Sequence, residues 1–140
     1  MKSFEVVAGI IVCNGRVLCM QRGESKYEYV SRKFEFPGGK VEAGERNSEA
    51  LIRELKEEMD IDVQISEDDY FMTVHYDYPD FSITMHSFIC KVDDCRFTMM
   101  EHSDFRWLGK KELMQLDWAP ADVPIVEALE DSEVLDGERV

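Results

Sequence analysis

The chain has 140 residues, 44% of them hydrophobic and 33% charged, with a formal net charge of -14. That length suits one domain with its own core. The lack of any long apolar run excludes a membrane span, and the acidic balance without a basic patch excludes unaided binding to nucleic acid. A polyphosphate stays open as a ligand provided divalent cations reverse the local field. Cys13, Cys19, Cys90 and Cys95 show no C-x-x-C spacing and lie mostly in apolar stretches. They read as buried free thiols in preference to zinc ligands or disulfides.

The run from Phe4 to Cys13, FEVVAGIIVC, is dominated by β-branched residues and predicts a strand. Asn14-Gly15 supplies a tight hairpin turn, and Arg16 to Arg22 the return strand. Glu5 interrupts the apolar run and a turn follows it, so this N-terminus reads as a strand entering a hairpin and not as a signal peptide; the expected location is cytoplasmic. GESKYEYVSRK reads as a loop, and Phe34 to Phe36 as a short strand ended by Pro37-Gly38-Gly39. Asn47 to Met59 has helical periodicity, with Asn47 or Ser48 as cap.

IDVQI, residues 61–65, is a short strand candidate. DYFMTVHYDY and FSITMHSFICKV are longer ones, joined across Pro79-Asp80 and expected to pair antiparallel. Asp93-Asp94 makes a turn, Phe105 to Leu108 a strand, and Lys110 to Leu116 a short helix. Pro120 to Glu130 gives the last helix, with Val123, Val126 and Leu129 facing the core. The acidic tail from about residue 131 to 140 is expected to fray. This order lacks the regular alternation of a doubly wound sheet and points to a mixed α/β sandwich forming a single domain over 1–140.

One stretch, Gly38 to Ile61, holds most of the chemistry. A glycine-rich turn, GGKVEAGE, leads into a segment carrying RELKEE. On a helix of about 100° per residue, Glu54, Glu57 and Glu58 share one side, and Leu51, Ile52, Leu55 and Met59 take the neighbouring arc. Carboxylates stacked at such spacing repel and ask for a compensating cation; the competing reading is a solvated acidic face. Hard divalent cations accept oxygen ligands of this kind, and Arg53, one turn before Glu57, is placed to orient a carboxylate.

From Gly39 the spacing is five residues to Glu45, seven more, then REL-K-EE-M-D-I. This resembles the Nudix hydrolase signature, G-x5-E-x7-R-E-U-x-E-E-x-G-U with U aliphatic. Every fixed position matches except the last glycine, which is Asp60 here and can also take a left-handed conformation at a helix exit. The resemblance implies a Nudix-type α/β/α sandwich with a mixed β-sheet. It also implies Mg²⁺, for which Mn²⁺ can substitute, held by Glu54, Glu57, Glu58 and the Gly39 carbonyl. Glu54, Glu57 and Arg53 form the implied catalytic set, with Glu54 first in line to deprotonate the attacking water.

AGIIVCNGRVLCMQR, FEFPGGKVEAGE and MMEHSDFRWL extend the likeness to the MutT-like branch. By that match Glu101 is a further metal ligand or alternative base, its plain alternative being a surface loop residue, and Arg22 and Lys40 contact the triphosphate. LDWAPADVPIVEAL is similar to the segment lining the base pocket in CTP pyrophosphohydrolase members of the branch and their relatives. Asp122 then stands where a base-reading group would, or serves as a helix N-cap beside Pro124. An ionised Asp only accepts hydrogen bonds, which suits an exocyclic amine such as that of cytosine or adenine and also the N1–H and N2 amine of guanine; the chemistry leaves the base open and the resemblance tips it toward cytosine. Phe36 and Phe81 offer rings for stacking on a base or for the core, and His75 and His86 read as structural.

The implied activity is nucleoside triphosphate plus water to monophosphate and pyrophosphate, on CTP or a modified cytosine deoxynucleotide. Other Nudix substrates (8-oxo-dGTP, a nucleotide sugar, a dinucleoside polyphosphate) or a non-catalytic nucleotide-sensing role are the alternatives. The expected partner is a small nucleotide, with neither nucleic acid nor membrane, and a monomer or a homodimer are both open.

Overall fold

The sheet is assembled on β1 (Lys2–Cys13) in this computed structural model, which describes residues 2–135. β1 runs parallel to β6 (Phe81–Lys91) over nearly its whole length, from Lys2 opposite Phe81 to Val12 opposite Lys91. On its other side the partner changes. Val6 to Ala8 pair antiparallel with β4 (Gly38–Lys40), whereas Val12 and Cys13 pair with β2 (Arg16–Gln21) across the Asn14-Gly15 turn. Gly9, between the two partners, donates its N–H to the Pro37 carbonyl at 2.7 Å. β4 lies so close to β1 that a Cβ at Gly38 would run into the Val7 carbonyl, which restricts the position to glycine.

β2 continues the sheet through β3 (Phe34–Glu35) and β7 (Asp104–Leu108), and β5 (Tyr70–Asp77) closes the far edge antiparallel to β6. The two aromatic-rich strands pair as their composition leads one to expect. With one parallel pairing among antiparallel ones in the described residues, the sheet is mixed.

From Val7 to Cys13 β1 is buried on both faces, hence the continuous apolar run there. Val7, Ile11, Leu18, Met20 and Phe88 face α1 (Asn47–Met59) and meet Ala50, Leu51, Leu55 and Met59. Ala8, Ile10, Val12, Val17 and Met85 face the other way, onto Trp118 and onto Ile125, Val126 and Leu129 of α2 (Val123–Asp131). The result is an α/β/α sandwich.

Several local expectations are corrected. Residues 61–65 form no strand: Ile61, Val63 and Ile65 pack on the α1 side, and no neighbour takes up their backbone hydrogen bonds as a ladder. The N-cap of α1 is Arg46, not Asn47 or Ser48. Its free N–H groups are met by carboxylates instead: Glu49 accepts from the Arg46 N–H at 2.8 Å, and Glu67, from a turn beyond the helix, accepts from the Ser48 N–H at 2.8 Å. The helix exits at Asp60 in a left-handed conformation, φ 54° and ψ 42°, so Asp fulfils the role of the motif's glycine. The short helix expected from Lys110 is present as a 3-10 helix, Lys110–Gln115, whereas Pro120–Asp122 is a separate 3-10 turn ahead of α2. The acidic end does not fray at 131, because Leu135 is buried in the α2-side core; residues 136–140 lie outside the described part.

The expectation of four free thiols also fails. Cys13 and Cys95 form a disulfide, their Cα atoms 5.8 Å apart, and Cys19 and Cys90 remain as buried thiols. The cause is topological. Parallel pairing lays Val92 beside Val12, with the Val92 N–H on the Val12 carbonyl at 2.9 Å, and the turn at Asp93-Asp94 then brings Cys95 back onto Cys13. Such a bond is uncommon where thiol reductants are abundant. Burial pushes the Cys90 thiol up to about 11 and the Cys19 thiol further still, so neither reacts readily in the folded state. A maleimide assay is expected to label almost nothing in the native protein, two thiols after unfolding without reductant, and four after reduction. Four in the unreduced, unfolded sample would show that the cysteines are unpaired.

Candidate active site

Arg53, on the exposed flank of α1, ties the glycine turn to the helix. Its Nε and Nη2 donate to the two Glu45 oxygens at 2.8 and 3.0 Å, and Nη2 also to the Lys40 carbonyl at 2.9 Å. Its Nη1 reaches Glu57 at 2.9 Å and Glu54 at 3.2 Å. The pair with Glu45 holds that carboxyl below the usual carboxylate range, and the guanidinium well above its own. One cation thus orients carboxylates that would otherwise repel.

Glu54 lies against Gly39 so closely that a Cβ there would overlap its carboxylate. Burial raises the pKa of Glu54, a rise that Arg53 opposes and that Glu57 and Glu101 add to. Glu58 is buried and accepts from the Gly38 N–H at 3.1 Å. Burial first, then the charges of Glu35, Glu54 and Glu101, push it up to about 9. Glu57 is half exposed. Glu101 sits on a loop whose Met100 N–H bonds the Glu58 carbonyl at 3.1 Å, so the sequence-derived set of Glu54, Glu57, Glu58, Gly39 and Glu101 is brought to one region.

That region suits a hard divalent cation. Its donors are all oxygens, and burial, with the charges of neighbouring carboxylates adding to it, lifts the pKa values of Glu54 and Glu58. Among the described residues no three such groups converge closely enough to enclose an ion by themselves.

A cavity of about 470 Å³ opens beside these carboxylates. Arg22, Lys40 and Phe36 line it, with Asp122 and Tyr78 on another side. Arg22 pairs with Glu35 at 3.2 Å, and the Lys40 ammonium lies 4.1 Å from the centre of the Phe4 ring. The Phe36 ring is stacked on Trp118 at 4.8 Å, which leaves it a core residue that also bounds the cavity. Asp122 does not cap α2 with its side chain. It is buried and accepts from the Phe36 N–H at 3.1 Å. Burial, with the charge of Glu35, lifts its pKa well above the ordinary value. Residues 117–119 run alongside β3, with the Phe34 N–H on the Asp117 carbonyl and the Ala119 N–H on the Phe34 carbonyl, and so carry Asp122 to this place.

Sequence reasoning missed Glu35, Tyr78 and His102. Glu35 is a polar residue between two buried phenylalanines, a signal that period-two reading can detect. Tyr78 accepts the Ala121 N–H at 3.1 Å and His102 meets Glu35 at 2.9 Å, neither of which leaves a local trace. His75 and His86 lie on β5 and β6, paired with Asp77 and Glu5.

A NUDIX domain family model matches residues 3–129. The chain belongs to the Nudix family. This Nudix chain is 36% identical over 130 residues to the CTP pyrophosphohydrolase of Escherichia coli K12, covering 91% of this chain and 92% of that one. It is 30% identical over 129 residues to the 8-oxo-dGTP diphosphatase of the same strain, with 92% and 98% covered. The solution structure of the E. coli ORF135 protein matches it with a TM-score of 0.79 and 32% identity, over 94% of this chain and 91% of that one. The protein is accordingly a MutT-like Nudix hydrolase, of a family that generally uses divalent metal ions on small nucleotide substrates.

Because the folded pKa of Glu58 lies near 9 and the ordinary value is 4.5, the folded state keeps a proton that the unfolded chain has lost across that window. Metal-free stability therefore falls as pH rises through it. Glu58→Gln retains an acceptor for the Gly38 N–H and removes the penalty. At pH 8 the metal-free variant is expected to melt about 3–8 °C above the parent, with the gap closing toward pH 5, and to gain less from added MgCl₂. Equal melting curves at both pH values would show that Glu58 is not held neutral.

Proposed function

We propose that this Nudix hydrolase is a Mg²⁺-dependent nucleoside triphosphate pyrophosphohydrolase acting on CTP or a modified cytosine deoxynucleotide. The observation that carries the base preference is the buried Asp122 carboxyl, facing the cavity with one oxygen on the Phe36 N–H. The cavity is of a size for a nucleoside, and the basic groups Arg22 and Lys40 are among the residues that line it.

The protonation state refines the sequence-based argument. An ionised Asp122 presents acceptors alone, which match the N1–H and N2 amine of guanine as well as an isolated exocyclic amine. Burial favours the neutral acid. A neutral carboxyl presents one O–H donor and one carbonyl acceptor side by side, matching cytosine N3 and its N4 amine, and equally the O6 and N1–H of guanine. The preference for cytosine is supported by the likeness to the 36% identical CTP pyrophosphohydrolase. The 30% identical 8-oxo-dGTP diphosphatase keeps the guanine reading as the runner-up.

Glu54 accepts the proton of a water that attacks the β-phosphorus. The bond from that phosphorus to the bridging oxygen breaks, so the monophosphate leaves with the bridging oxygen and the water oxygen ends in pyrophosphate. Arg53 holds Glu54 and Glu57 in orientation, while Arg22 and Lys40 position the triphosphate. Glu54, Glu57, Glu58, Glu101 and the Gly39 carbonyl would hold divalent cations, which neutralise polyphosphate charge when bound.

Incubation with CTP and MgCl₂ is expected to give CMP and pyrophosphate, and Glu57→Gln to slow it at least about 100-fold. In a panel of CTP, 5-methyl-dCTP, 8-oxo-dGTP, ADP-ribose and a dinucleoside polyphosphate, Asp122→Asn, whose amide reproduces a donor beside an acceptor, is expected to retain cytosine hydrolysis. Asp122→Ala is expected to lose it by about 10–100-fold. Preference for ADP-ribose, or equal activity of Asp122→Ala and the parent on every triphosphate, would sink the assignment of Asp122.

A further inference from the structure

Residues 98–103 cross from the end of α1 to the end of β2. The Thr98 N–H bonds the Met59 carbonyl at 3.0 Å, the Met100 N–H the Glu58 carbonyl at 3.1 Å, and the Ser103 N–H the Gln21 carbonyl at 2.9 Å. Glu101 and His102 lie between these fastenings. The Glu101 side chain is exposed and makes no hydrogen bond among the described residues, yet its charge reaches Glu54 and Glu58. His102 is the opposite: its side chain is 5% exposed, and its Nε2 meets a Glu35 oxygen at 2.9 Å. The other Glu35 oxygen takes Arg22 at 3.2 Å.

We propose that His102 is a positioning residue for hydrolysis: through its bond to Glu35 it holds the loop so that Glu101 faces the carboxylates of α1. The proposal rests on the pyrophosphohydrolase reading above. A free loop carrying a negative side chain would swing away from Glu54, since like charges repel. Backbone bonds at Met100 and Ser103 fix the two ends of the segment but not the direction of its middle, and the buried ring, inserted between β3 and the loop, fixes that direction.

The other ring nitrogen makes the idea testable. Nδ1 is buried without a hydrogen-bond partner among the described residues, so the ring is held in place by Nε2 alone. With a carboxylate as its partner, Nε2 carries the proton. A side chain that reproduces only the Nε2 donor therefore loses nothing. The amide nitrogen of glutamine falls near Nε2, whereas that of asparagine falls near Nδ1 and stops short of Glu35.

His102→Gln is expected to keep kcat within about threefold of the parent and His102→Asn to lower it about 10–100-fold, with KM for the triphosphate changing less than kcat. In a Glu101→Gln background, His102→Asn is expected to add little, because the group being positioned is already altered. Amide exchange at Met100 and Ser103, measured without nucleotide, is expected to quicken in the Asn variant and not in the Gln variant. Equal kcat in the Gln and Asn variants, a change in KM alone, or full additivity with Glu101→Gln would overturn the proposal. Should the parent hydrolyse no nucleoside triphosphate, the functional reading fails. Exchange then decides separately: equal protection in both variants would show that His102 does not hold the loop.

Discussion

Like-charge repulsion within one helix face is the constraint from which the site follows. Glu54, Glu57 and Glu58 are forced together by helical periodicity, and Arg53 compensates two of them at 2.9–3.2 Å while its remaining donors grip Glu45 and the Lys40 carbonyl. The same guanidinium thereby sets the distance between turn and helix, and that distance leaves no room for a side chain on Gly39. Glu58 has no cation beside it, and burial keeps it protonated instead. Two solutions to one electrostatic problem, an internal cation and a retained proton, stand side by side, and each leaves oxygen ligands available to a metal.

The sheet decides what this face looks upon. β1 changes partner from β4 to β2 around Gly9, and β4, wedged onto the first half of β1, holds the glycine turn against the middle of α1. Beyond β3, residues 117–119 lie along Phe34 and deliver Asp122 to the far wall of the cavity. Glu35 stands between, its charge felt by Glu58 and by Asp122. Glu58 of α1 and Asp122 across the cavity are therefore coupled through a residue of a two-residue strand.

Much of this was legible locally. The helix bounds Asn47–Met59, the first hairpin, the antiparallel pair of aromatic-rich strands and the tolerance of Asp60 for a left-handed exit all follow from periodicity or turn chemistry within a few residues. The failures share a cause. Residues 61–65 alternate like a strand, but alternation specifies burial on one side and cannot supply a neighbouring backbone. Asn47 and Ser48 have capping chemistry, yet Glu67, 19 residues on, takes the Ser48 N–H. Cysteine spacing gave no hint of Cys13–Cys95, which lie 82 residues apart and meet because β1 and β6 run parallel.

What the sequence by itself determined is the carboxylate helix and the glycine turn that precedes it, because residues at i, i+3 and i+4 are neighbours by covalent geometry whatever surrounds them. Tertiary structure alone decided what those groups face. Asp122 reaches Phe36 across 86 residues, and His102 reaches Glu35 across 67. It also raised the pKa of Glu58 and of Asp122, since desolvation belongs to the packed fold and to no segment of it.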